Sequence, residues 1–412
     1  MLGWRGGGGL FSAALTMWLV VRQRILGGCS LESAWTWCTP AEALRLSPNS
    51  ARARSGQLSA RPSGFEYARH SIPLDMVKEA ALHLTHEAKA LIGSNGPSIL
   101  LLDGSTLTPA HSPGLASEFP PAVNQHGESH WPVVLTVVAH DLATGLATIP
   151  EWGAMYGPNS VSELDLALRL VSRLPEDCMV VADRGFGIFR MAWELRHRRF
   201  LLRVTDSRTK PRLGPESDLG VESDQIITWK PSRHDLKKHP ELPNDSSVTG
   251  RMVVCHISEP SGNRVRVCLF TSDLTSTAQE LAHSYTKRWN IETDLRSLKH
   301  TVGLDVIRVR SADMLAKELI LAVVAYNLVR TIMALAAQKA GTEPRRMSFA
   351  RARSHVEIYA ARGNTTKEDF DEMLISIAAC PLPVRGNRKR PPRKSWRRPR
   401  PYPARKPGEA AT

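Results

Sequence analysis

The sequence predicts an α/β fold in which a mixed β-sheet is flanked by helices. Residues 99–102 and 179–182 are short, wholly apolar runs that predict buried strands, and an aspartate directly follows each. Between them, the spacing of apolar residues in ELDLALRLVSRL predicts an amphipathic helix. Residues 253–257 and 265–269 are rich in β-branched residues and predict a further β-hairpin.

The first part of the chain, residues 1–95, is predicted to be mostly helical and ends in the amphipathic stretch IPLDMVKEAALHLTHEAKALI. Residues 10–21 form an apolar run that is too short to span a bilayer, so we predict a buried helix there. Because the arginines at 22 and 24 separate this run from LGGC at 26–29, we predict no export signal and a cytoplasmic protein without membrane contact.

The first half of the predicted core spans residues 96–205. Ser162 and Glu163 open its first helix and are predicted to cap it. Strands are predicted at 99–103, 133–140, 144–149, 179–183 and 200–204, with helices at 160–174 and 188–198.

Four further regions follow this core. Residues 206–272 are predicted as a β-rich insertion whose hairpin turns at EPSGNR, and residues 273–345 as the second half of the core, including a long helix from 311 to 341. A helical region at 346–384 and a basic disordered tail at 385–412 complete the chain.

The net charge of +14 is concentrated in the tail. Residues 385–406 hold eleven Lys or Arg and no acid, so the rest of the chain carries only about +3. Such a Pro-rich polycation is suited to salt-dependent, non-specific contact with DNA phosphates, although a solvated tail without a specific role is the alternative.

The cysteines and histidines give no sign of a metal centre. The six cysteines lack ligand spacing and are predicted to be reduced thiols. His111, His126, His130 and His140 lie close in sequence, but only His126 and His130 have a helical i,i+4 spacing and no cysteine accompanies them. A zinc site is therefore not favoured.

The segment YTKRWNIETDLRSLK, residues 285–299, places Tyr285, Arg288, Glu292 and Lys299 at intervals of three, four and seven. On a regular α-helix these offsets fall within an arc of roughly 60° along about 21 Å of axis. One acid among cations and a phenol suits a metal ion beside a nucleic-acid backbone. The alternative is a solvated helix in which Glu292 pairs with Arg288 and Arg296.

Asp103 and Asp183 supply two more carboxylates at the ends of predicted strands. Either residue alone also fits an ordinary Asp-Gly turn or a helix entry. Taken together and in this order, two strand-end aspartates followed by a helix bearing Glu292 are typical of an RNase H-like catalytic core. Such an oxygen-only cluster is suited to Mg²⁺ or Mn²⁺.

These residues resemble the DDE transposases of bacterial insertion sequences, and specifically the group named after insertion sequence four, whose signature is Y-x2-R-x3-E-x6-K. All four signature residues are present at the family spacing, and SILLLDGST and CMVVADRGFG resemble the family's two aspartate contexts. The resemblance continues through LAVVAYNLVR at 321–330 and MSF at 347–349, and covers roughly residues 60–350.

The resemblance implies that Asp103, Asp183 and Glu292 hold two divalent ions for phosphodiester chemistry. Arg288 and Lys299 would position phosphates, and Tyr285 would donate a hydrogen bond to a phosphate oxygen. Trp289 could stack on an unpaired base, as in hairpin-forming members, although a core position is the alternative.

The resemblance also implies partners and a reaction. The substrate would be double-stranded DNA, at transposon ends and target, held by a homodimer in the synaptic complex. The helical region 1–95 would recognise the ends, but its opening helices are short, so a truncated end-binding domain is the expectation. The β-rich insertion would contact DNA.

We predict a metal-dependent transposase that frees a 3′-hydroxyl at the element's end and joins it to target DNA. Three alternatives remain at this point. A nuclease would use the same acids without joining, an inactive relic would only bind DNA, and a structural or membrane-associated protein would depend on residues 10–21 alone.

Overall fold

The computed structural model describes residues 9–58, 63–94, 97–124, 127–214, 218–258, 264–304, 307–362 and 365–382. The basic tail, most of the EPSGNR turn and His126 lie outside these ranges. The predictions made for them therefore stay predictions.

The described helices and strands make a mixed α/β protein with an N-terminal helical region. The helices are α1 (Ala13–Ile25), α2 (Leu31–Thr36), α3 (Pro40–Leu46), α4 (Ala51–Ser55), α5 (Ser63–Ser71), α6 (Leu74–Leu91), α7 (Pro113–Glu118), α8 (Glu163–Ser172), α9 (Phe189–Glu194), α10 (Asp206–Leu213), α11 (Arg233–Lys238), α12 (Ala278–Thr286), α13 (Asn290–Arg296), α14 (Ala312–Ala340), α15 (Phe349–Ala361) and α16 (Lys367–Ala378). The strands are β1 (Ile99–Leu107), β2 (Pro121–Asn124), β3 (Gly127–Pro132), β4 (Val134–Asp141), β5 (Glu151–Ala154), β6 (Met179–Ala182), β7 (Arg199–Val204), β8 (Ser223–Trp229), β9 (Val248–Ser258) and β10 (Arg264–Thr271).

Eight strands form one mixed sheet in the order β5-β4-β1-β6-β7-β10-β9-β8, and β2 and β3 form a separate hairpin. Strands β1, β6 and β7 run parallel, while β4 is antiparallel to β1 and β5 is antiparallel to β4. The predicted β-rich insertion extends this same sheet, since β10 pairs antiparallel with β7 and β9 and β8 follow in turn.

The two faces of the sheet carry different helices because side chains alternate along a strand. Leu100 and Leu102 of β1 pack with the apolar face of α8. Leu101 packs instead with Tyr285 and Ile291, which come from the helical segment after β10. The carboxyl edge of the parallel strands therefore lies between α8 on one face and α12 and α13 on the other.

Helix α14 and the N-terminal helices share one hydrophobic core. Arg24 of α1 and Arg69 of α5 both form ion pairs with Glu318 of α14, whose side chain is only 2% exposed. Residues 312–340 are long and apolar enough to cross a membrane, but 89% of the most apolar window is buried inside the protein. The apolar character of α14 is thus explained by its central position.

The local structure departs from the sequence prediction in three places. Strand β1 continues beyond Asp103 to Leu107, because it keeps pairing with β4 along this whole length. The strand predicted at 144–149 is wrong: this segment makes a single bridge, between His140 and Ala147, and the next strand is β5. The cap predicted from Ser162 and Glu163 is made instead by Ser162 and Asp165, which form a capping box.

Other predictions are confirmed. The apolar run at 10–21 contributes to α1, which buries Leu15, Leu19 and Val20. Strands β6 and β7 and the hairpin of β9 and β10 lie where the apolar and β-branched runs predict them. All six cysteines are free thiols.

Candidate active site at the carboxyl edge of the parallel strands

Asp103 and Asp183 lie side by side at the carboxyl edge of the parallel strands. In the register of β1 and β6 the last matched pair is Leu102 with Ala182, so each aspartate occupies the next position on its strand. Parallel strands are about 4.8 Å apart, which places the two backbones within reach of one shared ligand. Arg203 is in register with Asp183 on the other side, because Ala182 matches Leu202 of β7.

The segment containing Glu292 is helical throughout but is not one regular α-helix. Helix α12 is followed by a 3₁₀ turn at Lys287–Trp289, then by α13, and then by a π-helical turn at Ser297–Thr301. The 3₁₀ turn winds more tightly and the π turn more loosely than an α-helix, so the predicted straight stripe of four side chains does not form. Such irregular turns are frequent at functional sites.

Arg288 connects Asp103 with Glu292. Its guanidinium Nη1 lies 3.6 Å from Oδ2 of Asp103, and its Nη2 lies 3.8 Å from Oε1 of Glu292. The Arg288 side chain is 11% exposed, whereas the Glu292 side chain is 56% exposed. Arg288 is thus a counter-ion shared by an acid from the sheet and an acid from the helix.

Asp103 is in an unfavourable environment for a charged carboxylate. Burial is the main reason that its pKa is raised to about 6, and the neighbouring acids Asp183 and Glu292 raise it further. A hydrogen bond from the Gly104 N–H to Oδ1, 2.9 Å long, and the charge of Arg288 act in the opposite direction. The site accumulates negative charge that its own cations only partly balance.

Tyr285 is buried beneath this ion pair, with only 1% of its surface exposed. The Arg288 guanidinium lies 5.9 Å from the centre of its ring. Its hydroxyl lies near the Arg203 side chain without a regular hydrogen bond, and burial raises the pKa of Tyr285 while the charges of Arg288 and Arg203 act against this rise. Trp289 is half-buried and packs against the same core as Tyr285.

Lys299 reaches the strand that carries Asp103. Its Nζ donates to Oγ of Ser105 over 3.1 Å and to the carbonyl oxygen of Thr106 over 2.8 Å. These contacts place a cation two to three residues beyond Asp103 along β1. They also attach the π-helical turn to the sheet.

Sequence reasoning missed a buried ion cluster around Asp294, two residues after Glu292. Asp294 is fully buried and pairs with both Arg330 of α14 and Arg345, the latter at 2.8 Å. Burial alone would raise the pKa of Asp294, but Arg330, His140 and Arg345 hold it below its usual value. Asp294 lies in the segment 285–299, but no spacing in the sequence reveals partners that follow it by thirty-six and fifty-one residues.

Sequence reasoning also missed the position of Glu163 at the start of α8. A Cβ added to Gly104 would lie 2.7 Å from Cδ of Glu163, and one added to Gly185 would lie 3.9 Å from its Oε2. The carboxyl group of Glu163 therefore lies between the residues that follow the two aspartates. No pattern in the sequence distinguishes it from any other acid in the first turn of a helix.

A second structural glycine holds the loop after Asp183. A Cβ on Gly187 would lie 2.8 Å from the carbonyl carbon of Arg203, so the loop can approach β7 this closely only with glycine. Of the four histidines that lie close in sequence, the structure describes three: His111 and His130 stack with their ring centres 4.3 Å apart, whereas His140 is fully buried next to Tyr326.

The residue types at this edge suit a divalent cation, since all the acidic donors are carboxylate oxygens. Within the described residues, however, no three His, Cys, Asp or Glu side chains are grouped closely enough to hold a metal as they stand. Arg288 lies between two of the acids, and Glu292, the most exposed, is free to change rotamer. The chemistry of the donors fits a metal, and its binding requires Glu292 to move.

The fold and the site define an α/β protein with an acidic cluster at the carboxyl edge of its parallel strands. Residues 94–328, more than half of the chain, match the family described as transposase DDE domain, and the chain belongs to this family.

A curated relative is "Transposase InsG for insertion sequence element IS4" of Escherichia coli (strain K12). It is 25% identical over 303 residues, an alignment that covers 70% of this chain and 65% of the relative. The chain thus spans less than two thirds of that protein's length.

Proposed function

We propose that this protein is a DNA transposase that cleaves transposon ends and joins the freed 3′-hydroxyl to target DNA. The observation that carries the proposal is the adjacency of Asp103 and Asp183 in register, with Glu292 linked to Asp103 through Arg288. The membership of the transposase DDE domain family supports it.

The proposal includes an RNase H-like catalytic core. Its support is the order of the first five strands of the main sheet, in which β1 is central, β4 and β5 lie on one side and β6 and β7 on the other. Only β1, β6 and β7 are parallel to one another, and the aspartates lie where the pairing of β1 with β6 ends.

Asp103, Asp183 and Glu292 would hold Mg²⁺ or Mn²⁺, with two ions per site. A bound pair of such ions can activate the attacking oxygen and stabilise the leaving oxygen of a phosphodiester. For this role Asp103 must be ionised, and Arg288 favours that state by lowering its pKa. Burial of Asp103 also limits access of water to the carboxylate.

The basic and aromatic residues of the segment would bind the DNA backbone. Arg288 can present two N–H groups to a phosphate, and Lys299 of the π-helical turn reaches Ser105, on the strand that carries Asp103. Tyr285 would donate its hydroxyl to a phosphate oxygen, and Trp289 would stack on an unpaired base if a hairpin forms. The tail at 385–412 would add non-specific contact with DNA.

The remaining proposals concern the oligomeric assembly and the cellular location of the protein. A homodimer would hold two transposon ends in one synapse, and the N-terminal helices would recognise these ends. The protein would act on DNA in the bacterial cytoplasm. The shared core of α1, α5 and α14 supports a fixed position of the N-terminal helices next to the catalytic region.

The test is Mg²⁺- or Mn²⁺-dependent cleavage and joining of a duplex that carries the inverted repeat flanking the reading frame. Wild type is compared with Glu292→Ala, and with Glu368→Ala as a matched control. Glu368 is an exposed helical glutamate of α16, outside both the proposed site and the N-terminal helices. We expect wild type and Glu368→Ala to cut and join, and Glu292→Ala to bind DNA without cutting.

Two other results would assign the protein differently. Cleavage without any joined product would identify a nuclease that uses the same acids. Binding without cleavage by wild type at either metal would identify an inactive, DNA-binding transposase. Equal activity of Glu292→Ala and wild type would refute the proposed catalytic site.

A further inference from the structure

Glu163 occupies the first position of α8 without capping it. The capping box is made by Ser162 and Asp165: Oγ of Ser162 accepts from the Asp165 N–H over 3.2 Å, and the Asp165 carboxylate accepts from the Ser162 N–H over 2.9 Å. Within the described residues, the Glu163 side chain forms no hydrogen bond or ion pair. A partly buried carboxylate without a partner needs another explanation.

The position of Glu163 supplies one. Gly104 follows Asp103 and Gly185 follows Asp183 by two residues, and the Glu163 carboxyl group approaches both glycines. A side chain at position 104 would overlap the Glu163 carboxyl group, because a Cβ there would lie 2.7 Å from Cδ and 3.0 Å from Cγ of Glu163. Glycine at position 104 thus leaves the space in which the Glu163 side chain of α8 lies next to the site.

The direction of approach differs from that of Glu292. Gly104 faces the side of the sheet on which α8 packs, since it shares the alternation of Leu100 and Leu102. Asp103 faces the other side, where Tyr285 and Ile291 pack. Glu163 and Glu292 therefore converge on the aspartates from opposite faces of the sheet.

The electrostatics show that these acids act on one another. Burial raises the pKa of Glu163, and the charges of Asp103 and Asp183 raise it further. Arg288 contacts Asp103 and Glu292. No described cation forms an ion pair with Glu163 or Asp183, so two of the four carboxylates are left without a counter-ion.

Buried polar groups on the other side of the cluster are also unsatisfied. The Nε of Arg288, in a residue that is 9% exposed, lacks a hydrogen-bond partner within the described residues, and the hydroxyl of Tyr285, in a residue that is 1% exposed, has only the Arg203 side chain beside it. A ligand with acceptor oxygens would satisfy such buried donors. A hydrated cation or a metal-bound phosphate would supply such oxygens to Arg288 and Tyr285.

We propose that Glu163 is a fourth carboxylate of the site and binds the divalent cation together with Asp103 and Asp183. Because no three acids of the described residues are grouped closely enough to hold a metal as they stand, the Glu163 carboxylate must turn toward the two aspartates when the cation binds. This inference rests on the proposed function, because it assigns a further ligand to the same metal site. It also explains why position 104 holds glycine next to an acidic strand residue.

The experiment measures Mn²⁺ binding to the full chain by titration calorimetry, without DNA. The variants are Glu163→Gln, Asp103→Asn and the control Glu176→Gln, whose exposed side chain precedes β6 at the opposite end of that strand. We expect Glu163→Gln and Asp103→Asn each to weaken Mn²⁺ affinity by at least about tenfold, because affinity depends on the number of charged ligands. Glu176→Gln is expected to bind like wild type.

Gly104→Ala provides a second test that keeps every charge. The added methyl group should displace the Glu163 carboxyl group and weaken Mn²⁺ binding in the wild-type background. In a Glu163→Ala background the same change should have no further effect, because the group it displaces is gone. Thermal unfolding of each variant checks that the fold is retained.

The outcomes separate this inference from the proposed function. If Glu163→Gln binds Mn²⁺ like wild type while Asp103→Asn does not, Glu163 is not a ligand and the three-acid site stands. If wild type and all variants fail to bind Mn²⁺, both the fourth ligand and the proposed metal site are refuted.

Discussion

The guanidinium of Arg288 lies 3.6 Å from the carboxylate of Asp103, although the two residues belong to different layers of the fold. Asp103 stands on the central strand β1, and Arg288 stands in a 3₁₀ turn between α12 and α13. The same arginine reaches Glu292, so one cation links the sheet acid to the helix acid. This arrangement joins two layers of the fold at the acidic site.

The raised pKa of Asp103 predicts a stability cost in the metal-free protein. The pKa of about 6 in the folded state lies above the ordinary value of 3.8, so between these limits the folded chain retains a proton that the unfolded chain has lost. Raising the pH through this window therefore lowers stability. We expect Asp103→Asn to remove this loss and to stabilise the protein at pH 7 by about 1–3 kcal/mol.

Urea unfolding at pH 4 and pH 7 with a chelator present measures this effect. Asp75→Asn is the control, since the Asp75 side chain is 85% exposed and its replacement should change stability by less than about 0.5 kcal/mol. A lower stability of Asp103→Asn than of wild type at pH 7 would contradict the prediction.

Removal of Asp294 should be strongly destabilising. This fully buried carboxylate balances Arg330 and Arg345, so Asp294→Ala leaves two cations without their partner. We expect a loss of about 3–5 kcal/mol in the free energy of unfolding. Chemical denaturation measures it.

The matched control for Asp294 is an ion pair at the surface. Lys339 and Asp371 are 2.6 Å apart with side chains 39% and 42% exposed. Asp371→Ala should lower stability by less than about 1 kcal/mol. Comparable losses in the two variants would show that Asp294 does not carry the structural role assigned to it.

Tyr285→Phe should separate stability from DNA binding. The hydroxyl lies near the Arg203 side chain without a regular hydrogen bond, so its removal should change the free energy of unfolding by less than about 1 kcal/mol. If a DNA phosphate supplies the missing partner, the variant should bind DNA about fivefold more weakly, as expected for a lost hydrogen bond of about 1 kcal/mol.

Fluorescence anisotropy with a labelled duplex measures this affinity at one fixed salt concentration. Tyr359→Phe is the control, because Tyr359 lies on α15 outside the N-terminal helices, with its ring packed against Phe370. Unchanged DNA affinity in Tyr285→Phe would show that Tyr285 acts only as a core residue and does not contact phosphate.

Much of the architecture was predictable because it depends on local sequence. The apolar runs before Asp103 and Asp183 predict buried strands, and the amphipathic stretch after Ser162 predicts α8. The end of β1 was not predictable, since Ser105 and Thr106 suggest a turn but continue to pair with β4. The prediction of a strand at 144–149 was wrong for the opposite reason. Its residues have strand propensity, but within this segment only Ala147 forms a bridge, with His140.

The candidate site shows the same division. The sequence alone determined the types and order of Asp103, Asp183 and Glu292, because the apolar runs and the spacing of the helical segment are local patterns. Only the tertiary structure decided that Arg288 lies between two of these acids. It also decided that Asp294 forms ion pairs with Arg330 and Arg345. The approach of Glu163 through the space left at Gly104 is likewise visible only in the fold. The physical reason is that burial, strand register and the approach of opposite layers are set by contacts between residues far apart in the chain, which no local pattern encodes.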